Sequence, residues 1–201
     1  MKSLKAQDNK LSSAQYQLEM LENISREGSS VTRFENKLET YGLSPLKPNE
    51  LEILQVNVGK MCNQICTHCH VDAGPDRKEI MTRATMQLCL DAIRQAPSVH
   101  TVDLTGGAPE MNPDFIWFVE EISKYELKTI VRSNLTILVS NKKYYSYPDF
   151  FAKHKVTVIA SLPCYTEENT DKQRGNGVFQ KSIEALKILN NVGYGKDGTG
   201  L

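Results

Sequence analysis

The sequence predicts an α/β fold in which parallel β-strands alternate with α-helices. Four short apolar segments with strand-like patterns are each followed along the chain by a helical segment. Such alternation is typical of parallel strands joined by right-handed crossovers. Glycine or polar residues follow all four strand segments, and in a parallel α/β barrel the carboxyl ends of the strands form the active-site face. We therefore expect a parallel (βα) barrel whose chemistry lies at that edge.

The composition excludes several classes of protein. The 201 residues include 40% hydrophobic residues, 24 Lys and Arg, and 24 Asp and Glu, so the net charge is zero. A chain without basic excess is not expected to bind nucleic acid or an anionic membrane. No apolar run reaches the roughly 18 residues of a membrane span, and the N-terminus lacks a signal-peptide core. Five cysteines, three of them clustered, favour a reducing, cytoplasmic location over a disulfide framework.

Residues 1–50 are expected to form an N-terminal extension without chemistry of its own. Apolar residues at helical spacing predict a short amphipathic helix: Leu11, Ala14, Leu18 and Leu21. Gly28-Ser29-Ser30 is expected to end this helix. Phe34, Leu38 and Leu43 then indicate a packed lead-in to the first strand.

The core is expected to span residues 51–201. Its first strand–helix unit begins with a strand over 51–58. Leu54, Val56 and Val58 alternate there with polar residues. Thr82 is expected to cap the following helix, whose apolar face is Met86, Cys89, Leu90 and Ile93. Cys89 lies on that face, so we interpret it as a core residue.

The second unit contains a strand over 100–105 that ends at Gly106-Gly107. Asn112 is expected to cap the next helix, with Pro113 at its first position. The helix is indicated by an i, i+3, i+4, i+7 stripe of Phe115, Phe118, Val119 and Ile122.

The last two strand–helix units are indicated by shorter strand segments. A third strand over 128–132 ends at Ser133-Asn134, and a short helix is expected around 148–153. The fourth strand covers 156–160 and ends at Ser161. The final helix is indicated by Phe179, Ile183, Leu186 and Leu189, and Gly193 is expected to stop it.

Three cysteines follow the first strand in a C-x3-C-x2-C pattern, Cys62, Cys66 and Cys69. Three thiolates do not complete a structural zinc site, which needs four ligands. A [4Fe-4S] cluster is normally held by four cysteines, so three leave one iron free to bind a substrate or cofactor. Two alternatives remain: a zinc site completed by His68 or His70, and cysteines that are buried small hydrophobes.

Other candidate residues follow the later strands. Gly106 and Gly107 allow a ligand to approach the backbone closely, and Glu110 supplies a carboxylate nearby. Ser133, Asn134 and Ser161 end the third and fourth strands, where the alternative role is to cap turns.

Two further side chains could act on a ligand. Arg174 lies in a glycine-rich loop before the last helix and could bind a carboxylate through two hydrogen bonds, although a solvated loop arginine is the alternative. Cys164 lies three residues past Ser161 on the expected open face. It is either a buried, inert thiol or a ligand for a soft atom or a hydrogen donor.

The cysteine loop resembles that of the radical S-adenosylmethionine (SAM) enzymes. The residue before their last cysteine is usually aromatic, and His68 fits that place. In that family a Gly-Gly-Glu motif binds the amino group of SAM; here Ala108-Pro109 separate the glycines from Glu110.

By position, Ser133, Asn134 and Ser161 resemble groups that hold the ribose and carboxylate of SAM, and Arg174 is a further candidate for cofactor binding. The resemblance implies a partial parallel (βα) barrel of six units. Four are counted here, so we expect a C-terminally truncated core.

Several strings together resemble one radical SAM family, the arsenosugar biosynthesis proteins. They are residues 54–58, the cysteine loop through 75, and residues 104–110, 132–136, 161–165 and 173–179. The resemblance implies that Cys62, Cys66 and Cys69 hold a [4Fe-4S] cluster and that SAM binds the fourth iron. A reductant such as a flavodoxin or ferredoxin then drives cleavage of SAM to a 5′-deoxyadenosyl radical.

The same resemblance implies a small-molecule substrate, a dimethylated arsenic species that receives the adenosyl group. Trivalent arsenic is thiophilic, so Cys164 is our hypothesis for its ligand. Two other functions remain open. One is hydrogen abstraction from a peptide or another metabolite by a radical SAM enzyme, and the other is a zinc-stabilised, non-catalytic module.

Overall fold

The computed structural model describes residues 2–24 and 32–201 in two compact units. The smaller unit, Leu4–Glu50, contains two 3₁₀ turns, Lys5–Gln7 and Lys10–Ser12, and the helices α1 (Ala14–Ile24) and α2 (Phe34–Thr40). The predicted first helix is confirmed, while its expected end at Gly28-Ser29-Ser30 lies outside the described residues. Phe34 and Leu43 are 64% and 60% exposed, so the prediction of a packed lead-in is wrong.

The larger unit contains residues 51–201 together with residues 2 and 3, and it is built on one four-stranded parallel sheet. The strands are β1 (Ile53–Asn57), β2 (Thr101–Thr105), β3 (Lys128–Ser133) and β4 (Thr157–Ala160). Their order in the sheet is β1-β2-β3-β4, as expected for consecutive strand–helix units. The predicted parallel α/β fold is therefore confirmed.

Alternation along the strands separates two faces of the sheet. Val56, Leu104 and Val131 are aligned across three strands and belong to one buried core. The opposite face carries polar residues, among them Gln55 and Arg132. Successive side chains of a strand point to opposite sides of the sheet, so Gln55 and Arg132 lie on the face opposite to the core, which we call the inner face. The candidate residues lie at the carboxyl ends of the strands.

Helix α3 (Arg83–Gln95) begins where the sequence predicts. The Oγ1 atom of Thr82 accepts a hydrogen bond from the N–H of Thr85 at 3.3 Å. Met86, Leu90 and Ile93 are buried, and Cys89 packs partly buried against the core.

Helix α4 (Phe115–Ser123) buries all four predicted apolar residues but begins later than expected. Asn112 does not cap it. Its amide donates to the carbonyls of Val58 and Met81, both at 2.9 Å, while its Oδ1 accepts from the N–H of Asp114. This buried side chain therefore joins the end of β1 to the segments that precede α3 and α4.

The remaining helices are α5 (Tyr147–Lys153), α6 (Glu167–Arg174) and α7 (Val178–Asn191). The sequence predicted α5 but not α6, whose residues are almost all polar and give no apolar stripe. In α7 the buried face is Val178, Ser182, Ala185 and Leu189, and the predicted Phe179, Ile183 and Leu186 are only partly buried. The small residues Ser182 and Ala185 allow this face of α7 to approach the neighbouring segments closely. The prediction followed the large side chains and therefore missed this face.

No helix within residues 2–24 and 32–201 is both long enough and apolar enough to cross a bilayer.

Candidate functional site

An open cavity of about 280 Å³ lies at the carboxyl edge of the sheet. Segments that follow all four strands contribute to its wall. Most of the predicted site residues line it: Cys62, Cys66, His68, Cys69, Gly106, Gly107, Asn134, Ser161 and Arg174. The fold thus brings together side chains that lie more than 100 positions apart in the sequence.

The three clustered cysteines form one wall of this cavity, and N–H groups point at two of their sulfurs. The backbone N–H of Gln64 and the side-chain amide of Asn134 each donate to Cys62 Sγ at 3.4 Å. The N–H of Ala73 donates to Cys69 Sγ at 3.2 Å. Donors of this kind stabilise thiolates and tune iron–sulfur clusters.

Burial raises the pKa of the Cys62 thiol to about 11 and also raises the pKa of Cys66. A coordinated metal ion opposes this effect because it deprotonates the thiols that bind it. Burial therefore favours the neutral thiol at Cys62 and Cys66 until a cationic centre binds them.

The arrangement of the cysteines fits a cluster better than a single ion. In the part of the chain that the structure describes, no three His, Cys, Asp or Glu side chains are close enough together to hold one metal ion. A [4Fe-4S] cluster does not need such convergence, since each cysteine binds a different iron. Three thiols on one cavity wall, two of them facing N–H donors, fit a cluster with one open iron.

Gly106 and Gly107 hold the cysteine loop against the end of β2. The N–H of Gly107 donates to the carbonyl of Gly59, and the N–H of Ala108 donates to that of Met61, both at 2.9 Å. A Cβ atom on Gly107 would lie 2.3 Å from the Met61 carbonyl oxygen, and one on Gly106 would lie 2.6 Å from that of Gly59. The space that we expected a ligand to use is thus filled by the backbone of the cysteine loop, although both glycines also line the cavity.

Arg174 is the last residue of α6, so its predicted place in a loop is wrong. It is 8% exposed, its Nη2 donates to Ser161 Oγ at 2.6 Å, and its buried Nε has no hydrogen-bond partner. Among the described residues no carboxylate pairs with it. An unpaired buried cation is unfavourable, and this is the arrangement expected of a site that receives an anionic ligand.

A backbone hydrogen bond joins helix α6 to the cysteine loop. This contact places Arg174 beside the cavity. The N–H of Thr67 donates to the carbonyl of Gln173 at 2.9 Å. The pKa of His68 is lowered by burial and then by the neighbouring positive charge of Arg174. The wall near α6 is therefore the positively charged side of the cavity.

Glu110 and Ser133 lie outside the cavity, contrary to the prediction that they contact a cofactor. Glu110 is 1% exposed, and the hydroxyl of Ser133 donates to its Oε1 at 2.6 Å. The hydroxyl of Tyr147 donates to the backbone carbonyl of Glu110 at 3.2 Å. Ala108 and Pro109 carry the chain into a 3₁₀ turn, Pro109–Met111, that turns the carboxyl group into the protein.

Cys164 also lies outside the cavity wall. It is partly exposed in the loop between β4 and α6, and its sulfur shares a 3.5 Å hydrogen bond with Thr166 Oγ1. That hydrogen bond lowers the pKa of the Cys164 thiol. The residue is accessible, but the structure does not bring it to the three clustered cysteines.

Sequence reasoning missed Arg132, which lines the cavity from the inner face of β3. Its Nε and Nη2 atoms donate to the carboxylate of Asp103 at 3.0 and 2.8 Å, and Gln55 donates to the same carboxylate at 2.9 Å. Burial acts against the change, but the hydrogen bonds from Arg132 hold the pKa of Asp103 below its usual value. The available signal was strand alternation, which places Arg132 on the face opposite to the buried Val131.

The sequence model of the Radical SAM superfamily matches residues 56–201 of this chain. The chain belongs to this superfamily of enzymes, whose members use a [4Fe-4S] cluster and SAM.

Two kinds of relative show how varied that superfamily is. The mycofactocin maturase MftC of Mycolicibacterium smegmatis is 30% identical over 139 residues, which are 66% of this chain and 33% of that protein. A probable GTP 3′,8-cyclase of Saccharolobus islandicus is 22% identical over 147 residues, which are 71% of this chain and 45% of that protein. The chain thus spans less than half of the length of either relative.

Solved structures confirm the fold of a partial (βα) barrel. Streptococcus suis SuiB bound to the precursor peptide SuiA gives a TM-score of 0.59 at 19% identity, covering 79% of this chain and 34% of SuiB. Native anSMEcpe with bound AdoMet gives 0.57 at 18% identity, covering 70% of this chain and 41% of that protein. Identities this low show a shared fold and nothing about the substrate.

The contact between Gly107 and Met61 can be tested with Gly107→Ala. The added Cβ would overlap the Met61 carbonyl, so we expect the free energy of unfolding to fall by about 2 kcal/mol. Because the displaced segment carries Cys62, iron uptake on anaerobic reconstitution should fall as well. Urea unfolding and iron analysis measure the two effects.

Gly198→Ala is the matched control for this substitution. Gly198 has a φ of +79° and no atom within 4 Å of the added Cβ, so only backbone strain of about 1 kcal/mol is expected. Its iron uptake should equal that of the unsubstituted protein. Equal stability and iron uptake in Gly107→Ala would show that the close contact is unimportant.

The buried Glu110 should make stability depend on pH. Burial raises its pKa from 4.5 to about 7, and the hydrogen bond from Ser133 only partly opposes this. Between these two values the folded protein holds a proton that the unfolded chain has lost. Stability contributed by the protonated group is therefore complete below pH 4.5 and is lost as the pH rises through about 7, by about 3 kcal/mol in total.

Glu110→Gln should remove this pH dependence. The free energy of unfolding of the variant minus that of the unsubstituted protein should therefore increase from pH 5 to pH 8. Urea unfolding at the two pH values measures it. The exposed Glu120, substituted as Glu120→Gln, is the control and should leave the pH profile unchanged. The prediction is wrong if Glu110→Gln and the unsubstituted protein lose stability in parallel.

Proposed function

We propose that this chain is the radical SAM portion of an enzyme that cleaves SAM. Cys62, Cys66 and Cys69 would hold three irons of a [4Fe-4S] cluster and leave the fourth open to SAM. When bound and reduced, the cluster supplies the electron that converts SAM to methionine and a 5′-deoxyadenosyl radical. The chain itself binds and orients the cofactor and limits access of water to it.

The observation that carries this proposal is the cavity that the three cysteines share with a buried arginine, Arg174, for which the described residues supply no carboxylate partner. Arg174 would bind the carboxylate of SAM by charge-assisted hydrogen bonds, and Ser161 orients its guanidinium. Gly106, Gly107 and His68 form the adjoining wall. The neighbouring Arg132 already has a carboxylate partner in Asp103, so Arg174 is the cation that remains for an anionic ligand.

The roles of Glu110 and Ser133 in cofactor binding are not part of this proposal because both are buried outside the cavity. They are retained as supports of the segments after β2 and β3.

Arg174→Gln tests the assignment of the cofactor carboxylate. Loss of a charged hydrogen bond costs about 1.5–3 kcal/mol, so the Kd for SAM should rise about 10- to 100-fold. Iron and sulfide content should be unchanged. Low-temperature EPR of the reduced protein, titrated with SAM, measures both the cluster and the affinity.

Arg94→Gln is the control, since Arg94 is exposed at the end of α3 and pairs with Asp91. Its SAM titration should match that of the unsubstituted protein. An unchanged SAM affinity in Arg174→Gln, with a normal cluster signal, would contradict the role of Arg174. A colourless protein that contains zinc and no sulfide would instead favour the zinc-stabilised module.

For the substrate we infer a dimethylated arsenic species, to which the adenosyl group is added in arsenosugar biosynthesis. Support comes from the strings that extend beyond the superfamily motifs, including residues 104–110 and 161–165. Cys164 would bind arsenic, because its thiol is accessible and its pKa is lowered by Thr166. The reductant would be a flavodoxin or ferredoxin, and no nucleic-acid or membrane partner is expected.

A cytoplasmic location belongs to the same proposal. Five cysteines without a disulfide support it, since reduced thiols are typical of that compartment.

The second candidate is hydrogen abstraction from a peptide or another metabolite. The observation that favours it is the 30% identity to the mycofactocin maturase MftC. The two candidates predict different products from the same cavity, since one transfers the adenosyl group and the other releases 5′-deoxyadenosine.

Product analysis by mass spectrometry separates them. With reductant, SAM and trivalent or pentavalent dimethylarsenic, we expect an adenosyl–arsenic product. Cys164→Ala should lower that product at least tenfold while SAM cleavage continues. Cys89→Ala, a partly buried cysteine on α3, should change neither reaction.

The arsenic assignment fails if no adenosyl–arsenic product forms while SAM is cleaved. In that case, release of 5′-deoxyadenosine that depends on an added peptide would establish the second candidate. Equal arsenic product from Cys164→Ala and the unsubstituted protein would leave the reaction in place and remove Cys164 from it.

A further inference from the structure

Asn134, the first residue after β3, has no hydrogen-bonding capacity left for a cofactor. Its Nδ2 donates to Cys62 Sγ at 3.4 Å and to Asn63 Oδ1 at 2.7 Å. Its Oδ1 accepts from the N–H of Ile137 at 3.0 Å and from the hydroxyl of Thr136 at 3.3 Å. An asparagine amide offers two donors and two acceptor positions, and all four are occupied within the protein.

The orientation of this amide is determined by the backbone. The N–H of Ile137 can only donate, so the oxygen of Asn134 must face it and the nitrogen must face Cys62. The next residue, Leu135, has a φ of +67° and a ψ of −50°, and the N–H of Thr136 donates to the carbonyl of Asn134 at 2.8 Å. These features define a γ-turn, a strained conformation that is rare for leucine.

Burial holds this turn in place. Leu135 is fully buried, and its N–H donates to Ser133 Oγ at 3.2 Å while the Ser133 hydroxyl donates to Glu110. The buried pair of Glu110 and Ser133 thus supports the turn that directs the Asn134 side chain toward the cysteine loop.

The same turn also forms hydrogen bonds with two residues that lie between Cys62 and Cys66 in the sequence. Thr136 Oγ1 accepts from the amides of Asn63 and Gln64, at 2.9 and 2.7 Å. Gln64 in turn donates its N–H to Cys62 Sγ at 3.4 Å, and its Oε1 lies 3.6 Å from Cys66 Sγ. A single network of side chains therefore connects the end of β3 with Cys62.

We propose that Asn134 and Thr136 are positioning residues that fix Cys62 and set the reduction potential of the cluster, and that they do not bind SAM. This inference rests on the proposed cluster at Cys62, Cys66 and Cys69. An N–H directed at a ligand sulfur stabilises the additional negative charge of the reduced cluster. Removal of the Asn134 amide should therefore make the cluster harder to reduce.

Asn134→Ala tests the proposal on the reconstituted protein. The reduction potential, measured by EPR-monitored redox titration without SAM, should shift to a more negative value. The Kd for SAM should remain within about twofold of the original value, because no hydrogen bond to SAM is removed. Asn141→Ala, at an exposed asparagine whose Oδ1 accepts from the N–H of Lys143, is the control and should change neither quantity.

A second pair of variants preserves the test if Asn134→Ala does not fold. Thr136→Val removes the hydroxyl that holds Asn63, Gln64 and Asn134, and its potential should shift in the same direction. Thr136→Ser keeps the hydroxyl and should restore the original potential.

The outcomes are distinct. An unchanged potential together with an SAM Kd raised tenfold or more would assign Asn134 to the cofactor and overturn the inference. An unsubstituted protein that takes up no cluster would overturn the proposed function and this inference with it. A normal cluster whose potential is equal in all variants would overturn the inference alone.

Discussion

The sheet hydrogen bonding between β1 and β2 continues past the ends of both strands, and the site depends on this continuation. The N–H of Val58 donates to the carbonyl of Thr105, and the next two contacts join Gly107 to Gly59 and Ala108 to Met61. Each of these bonds measures 2.9 Å. The cysteine loop is therefore held as an extension of the sheet, and only glycine at 106 and 107 leaves room for it.

Two polar side chains of the cavity wall are already used by the protein. Asn134 is saturated, and Arg132 is paired with Asp103. Arg174 differs because it is buried, and within residues 2–24 and 32–201 no carboxylate pairs with it. Since buried cations are unfavourable alone, the electrostatics of the cavity favour an anionic ligand next to the cysteines.

The fold does not decide the reaction beyond the superfamily, because one fold can host many functions. SuiB bound to a precursor peptide and anSMEcpe with bound AdoMet share the barrel with this chain at 19% and 18% identity. At these identities the likeness is one of fold, whereas substrate choice depends on particular side chains. This is why product analysis, and not further comparison of folds, separates arsenic from peptide substrates.

The sequence by itself determined the four parallel strands, most of the helices and the wall built from Cys62, Cys66 and Cys69, because periodicity and short-range spacing encode them. It did not reveal the polar helix α6, nor the burial of Glu110, since neither gives an apolar period. The tertiary structure alone decided that Arg174 is buried against Ser161 and that Asn134 meets Cys62, 72 positions away. Such contacts depend on how strands pack side by side, and local sequence carries no record of them.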